Sequence, residues 1–63
     1  MKTGEKIKQL RVASGYSQQD LANRAFTTVT TISRIENGGE PSKVVLKTIA
    51  DALDVDPDTL KGD

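Results

Sequence analysis

The chain has 63 residues, nine of them Lys or Arg and nine Asp or Glu, so its formal net charge is zero; 35% are hydrophobic and 3% aromatic. That length suits one small domain over residues 1–63. The lack of any Cys or His excludes disulfides, thiolate metal sites and a histidine base, and the apolar runs are too short to cross a membrane.

The opening segment, Met1 to Leu10, lacks the apolar core of a signal peptide, so the expected address is the cytoplasm. A first helix is expected from about Thr3 to Ser14. Thr3 is its candidate N-cap, and Ile7, Leu10 and Ala13 recur at near-helical spacing. Lys6 stands where a capping box wants Glu or Gln, and Gly15 ends the run as a glycine just past a helix does. Ser17 caps a second helix, with Asp20 at the positive end of its dipole and Leu21, Ala22 and Ala25 apolar. Thr28 caps a third, Val29 to Glu36, whose inner face is Ile32 and Ile35. The β-branched run Thr27 to Ile32 favours a strand by propensity. Helix is the better reading, because Ile32, Ile35 and Glu36-Asn37-Gly38 fit a capped turn, and a lone strand has nothing to pair with. Ser42 opens a fourth helix to about Leu53, burying Leu46, Ile49, Ala50 and Leu53. Asp56 as N-cap and Pro57 at the first position start a short fifth helix through Leu60. The chain is therefore expected to be all-α, with five helices.

The neutral total hides a division. Residues 1–34 carry six cationic and two anionic side chains, a net +4; residues 35–63 carry three and seven, a net −4. A chain polarised in this way can hold a polyanion on its basic side. Uneven scatter on a small domain is the plain alternative.

Two short helices, Gln18–Ala25 and Val29–Glu36, separated by about three residues have the spacing of a helix-turn-helix unit at about residues 18–37. Ala22 is small where the second helix crosses, and Leu21, Ile32 and Ile35 fix the crossing. The outer face of the second helix is Val29, Thr30, Ser33 and Arg34. Its polar members hydrogen-bond base edges or phosphates, and Val29 suits a thymine methyl. A merely solvated face would carry Lys and Glu more often than Thr and Ser.

Ser17-Gln18-Gln19-Asp20-Leu21-Ala22 and Thr31-Ile32-Ser33-Arg34-Ile35-Glu36-Asn37-Gly38 resemble the Cro and phage-repressor helix-turn-helix family. Leu10-Arg11 and Gly15-Tyr16 upstream fit it too, as do Pro41-Ser42 and Ile49-Ala50-Asp51-Ala52-Leu53 downstream. The resemblance covers nearly the whole chain. It implies a compact five-helix, lambda-repressor-like domain and sequence-specific binding of double-stranded DNA as a transcriptional regulator, a repressor in kind. It also implies that Gln18, Val29, Thr30, Ser33 and Arg34 contact bases and that Ser17, Thr28 and Asn37 contact phosphates. Arg11 and Glu36 fall where the family forms a partly buried ion pair, and DNA contact is the lesser reading of Arg11. For Arg34, guanine readout and a phosphate clamp both stand.

Two departures from the family are plain. Phe26 occupies the turn position that is usually Gly, where φ is positive and a bulky residue costs about 1 kcal/mol or more. Either the turn is reshaped or the strain is tolerated. The ring itself either folds over the core rim or makes a protein contact. Val29 replaces a frequent Gln, which changes the target sequence rather than the class of partner.

A homodimer on a two-fold-related operator is expected, since one such unit reads only a few base pairs. Val44, Val45, Val55 and Leu60 are the candidate dimer residues, or else core. A cytoplasmic bacterial or phage setting, no membrane, no cofactor and no metal complete the expectation, with a longer parent chain or a protein partner left open. The rival is an interaction module or antitoxin on the same fold with weak or no DNA recognition. Asp54-Val55-Asp56-Pro57-Asp58 has calcium-loop spacing, but Thr59 stands where such a loop needs Gly; helix capping is its plainer role. An enzyme is not expected from so short a chain without His or Cys.

Overall fold

In a computed structural model, which describes residues 2–62, the chain forms α1 (Thr3–Ala13), α2 (Gln18–Arg24), α3 (Val29–Glu36), α4 (Lys43–Leu53) and α5 (Pro57–Leu60). No strand occurs among the described residues. The extents are 26 × 19 × 18 Å. The closest packing is of α2 on α3, followed by α1 on α3 and α4 on α5.

Local chemistry accounts for most helix starts. The hydroxyls of Ser17, Thr28 and Ser42 accept from the amides of Asp20, Thr31 and Val45, and the Asp56 carboxylate accepts from Asp58. Each supplies an acceptor to an amide that the helix itself leaves unpaired. At α2 the arrangement is reciprocal: the Ser17 amide also donates to Asp20 Oδ2 at 2.9 Å, so Asp completes the capping box. That backbone bond, then the Ser17 hydroxyl, holds the exposed Asp20 carboxyl below its ordinary 3.8. The stability it contributes is therefore present above pH 3.8 and is lost as pH falls through its lower folded value. Urea unfolding against pH should show an acid limb that is flatter in Asp20→Asn than in the native chain.

The start of α1 differs from expectation. Lys2 is the N-cap, with no side-chain bond, and Thr3 is already helical. The Thr3 hydroxyl instead accepts from the Gly62 amide at 2.9 Å, and Lys6 Nζ donates to Lys61 O at 2.6 Å. Both bonds tie the C-terminal segment back to α1. The helix also ends one residue short of Ser14, and Ala13 is exposed. At about 100° per residue, Ala13 lies half a turn from Gly4, which is buried with Ile7.

Four helices close in the same way. In α1 to α4 the residues past the end are Gly15, Phe26, Gly38 and Asp54, all at positive φ (79, 57, 108 and 59°). In each, the next amide returns to a carbonyl five residues back, as Tyr16 does to Arg11 and Val55 to Ala50, both at 3.0 Å. Asp54 and Asp56 thus close α4 and open α5.

The core is aliphatic: Ile7, Leu21, Ala22, Ala25, Ile32, Ile35, Ile49, Ala50, Leu53 and Leu60 are buried. Leu46 is only half-buried, because it faces the open cleft between the start of α1 and the Gly38–Pro41 loop. Leu60, a candidate for the dimer surface or the core, belongs to the core, and Val44 is 73% exposed.

Gly4 sits where α1 meets α3 backbone to backbone. A Cβ there would run into the Ile35 carbonyl and lie 3.2 Å from Glu36 Cα. Gly4→Ala should cost about 1–2 kcal/mol by overpacking, read as a lower midpoint in thermal unfolding.

Candidate nucleic-acid interface

α3 rests on α2 through small and branched side chains. Leu21, Ala22 and Ala25 lie on one side and Ile32 and Ile35 on the other, none more than 1% exposed. Alanine at 22 and 25 lets α3 approach closely. The connecting turn keeps the left-handed geometry with Phe26 in it, at φ 57°. Thr27 N–H bonds Ala22 O at 2.9 Å, so the turn is not reshaped. Phe26 is 92% exposed, which overturns the reading that its ring folds over the core rim. Ala22 and Ala25 beside it are already buried, at 0% and 1% exposure, so the core beneath the turn is closed without the ring.

With Ile32 and Ile35 turned inward, Val29, Ser33, Asn37, Thr30 and Arg34 fall in that order around about 140° of the opposite side. Thr30, Arg34 and Asn37 are exposed, Val29 is 38% exposed and Ser33 half-buried. From Val29 to Asn37 this surface runs about 12 Å. Asn37 caps the helix, with Nδ2 3.5 Å from Ser33 Oγ. The Thr28 hydroxyl lies 3.0 Å from that of Thr31 as well as accepting its amide. The structure thus gathers Val29, Thr30, Ser33, Arg34 and Asn37 on one face, with Thr28 at its head.

Glu36, at the Val29 edge of this face, turns its carboxylate into a cluster that joins three helices. Arg11 Nε donates to Glu36 Oε2 at 2.7 Å and Nη2 to Oε1 at 3.1 Å. Arg11 Nη1 reaches Tyr16 O at 2.8 Å. The two charged side chains are 11% and 3% exposed. The Glu36 hydrogen bond raises the Arg11 pKa against the opposing effect of burial, so the guanidinium stays charged. Gln18 Nε2 also donates to Glu36 Oε1, at 3.2 Å. The carboxamide at the head of α2 is therefore held toward the protein, a third partner that sequence spacing did not reveal. Arg24 lies 4.4 Å over the Tyr16 ring, a cation–π contact that pairs residues eight apart with no sequence signal.

A family model described as helix-turn-helix matches residues 7–60 of the chain. Among solved structures, the restriction-modification controller protein C.AhdI from Aeromonas hydrophila is similar. Its TM-score is 0.89 at 32% identity, over 92% of this chain and 89% of that one. No curated protein sequence matches.

Proposed function

Because the chain belongs to the helix-turn-helix family and is a sequence-specific DNA-binding regulator, we propose that it acts as a transcriptional repressor, lodging α3 in the major groove of a two-fold-related operator. The observation that supports this most is the outer face of α3. It is a continuous polar row of Thr30, Ser33, Arg34 and Asn37, headed by Val29, on a helix whose other side is sealed by Ile32 and Ile35. Such a face fits a groove ~12 Å wide and offers donors and acceptors to base edges. We assign base contacts to Val29, Thr30, Ser33 and Arg34, and phosphate contacts to Ser17, Thr28 and Asn37. Gln18, with its amide on Glu36, aligns the start of α2 with the end of α3 and offers its remaining polar atoms to the first base pair. Residues 1–63 act as one DNA-binding domain, as a binding protein rather than an enzyme, in a cytoplasmic bacterial or phage setting. No helix among the described residues is long and apolar enough to cross a membrane.

One unit reads few base pairs, so the operator is read by a homodimer with recognition helices ~34 Å apart. Val44, exposed at the start of α4, is the first dimer contact to test. The likeness to a restriction-modification controller protein supports a regulatory role.

Selection of bound sequences from a random duplex pool tests the proposal. The expected result is a two-fold-related consensus whose affinity falls steeply with salt, as phosphate contacts require. Absence of duplex binding at low salt would reject it. A second reading, a protein-interaction module on the same fold, is favoured by one observation, the strained and exposed Phe26. On that reading no duplex is bound, and Phe26→Gly abolishes partner capture.

A further inference from the structure

The loop after α3 sets one glycine against the arginine of the outer face. Gly38 needs to be glycine for its φ of 108°. Gly39 has no such need, since its backbone is outside the left-handed region. What excludes a side chain at Gly39 is Arg34. A Cβ there would meet Arg34 Nη1 at 2.8 Å, its Cγ at 2.9 Å and its carbonyl oxygen at 2.9 Å. The Gly39 amide in turn donates to that carbonyl at 2.8 Å. In helices closed this way, the residue in the place of Gly39 usually sets an apolar side chain against the residue in the place of Arg34. Here that side chain is missing, and the stem and guanidinium of Arg34 take its space.

We propose that Gly39 is a positioning residue for Arg34, a seat that holds the guanidinium at the C-terminal end of the recognition face before DNA arrives. The proposal rests on the reading of Arg34 as a DNA contact. A long side chain immobilised only on binding weakens affinity by about twofold to tenfold; a side chain already seated avoids much of that loss. The sharing of one loop glycine between helix closure and arginine placement makes the loop part of the specificity apparatus without touching DNA.

The test is a double-mutant cycle on the duplex recovered from the selection, with native chain, Gly39→Ala, Arg34→Ala and the double variant. Gly39→Ala should weaken binding by about twofold to tenfold and should cost clearly less once Arg34 is Ala, where only the contact with the backbone carbonyl of that residue remains. Equal weakening in both backgrounds would mean that the alanine acts through the loop backbone, and would overturn the proposal. So would unchanged or tighter binding by Gly39→Ala. A readout without DNA decides separately: 15N relaxation at Arg34 Nε should show a restricted side chain in the native protein and a freed one in Gly39→Ala. An Arg34 as mobile in the native protein as a fully solvated arginine would overturn the seat. If the native chain binds no duplex at all, the DNA reading fails, while the relaxation result still decides the seat.

Discussion

Glu36→Ala should lower the stability of the chain by about 3 kcal/mol, the lower end of what breaking a buried ion pair costs. For a domain of this size that corresponds to a fall of roughly 12–24 °C in melting temperature. The size follows from what the carboxylate does. It accepts two bonds from Arg11 and one from Gln18 while only 3% exposed. Its removal leaves a guanidinium that is 11% exposed with one remaining partner, the Tyr16 carbonyl. The loss is mainly the cost of a buried, unpaired charge, not the net worth of the pair. Replacing both partners, Arg11→Met with Glu36→Leu, should therefore recover much of it. Thermal unfolding of the three variants checks this. An unchanged melting temperature in Glu36→Ala would show that the cluster contributes nothing.

Arg34→Ala should cost about 1–3 kcal/mol of discrimination at one base pair of the half-site, roughly 5- to 150-fold, and leave preferences elsewhere intact. That is the signature of a guanidinium reading a guanine edge. A phosphate clamp at Arg34 gives a different pattern: uniform weakening across all sequences and a salt slope reduced by about 1. Competition binding with single-substituted duplexes at two salt concentrations separates them. Arg34 carries no carboxylate partner among the described residues, so its deletion should leave the melting temperature little changed. Glu36→Ala does the reverse, striking stability first.

The parts of the fold that were legible in the sequence are those governed by near neighbours. Ser17, Thr28, Ser42 and Asp56 announce their helices because each cap acts on an amide two or three residues away. The β-branched run from Thr27 to Ile32 shows local propensity overruled. Ile32 and Ile35 gain full burial only if the segment is helical. What stayed hidden depended on distant residues. Thr3 looks like a cap, but its hydroxyl serves Gly62, 59 positions away. Gly4 looks like a weak helix residue until α3 is seen lying on it. At the interface, period 3.6 suffices to place Val29, Thr30, Ser33 and Arg34 on one face. It cannot show that Gln18 is bonded to Glu36, because that distance belongs to the packing of α2 across the end of α3. Gly39 carried no signal, since a side chain there is excluded by the side chain and carbonyl of Arg34 and not by a torsion angle.

The bare contact at Gly4 gives the recognition helix a fixed pivot. Where two backbones touch with no side chain between them, no rotamer can swing to absorb a displacement, so the Ile35–Glu36 end of α3 cannot be re-aimed by repacking α1. The rest of α3 lies on α2, its most extensive neighbour, where Ala22 and Ala25 are buried. Any redesign that tilts the helix to follow a differently shaped groove has to begin with those two alanines.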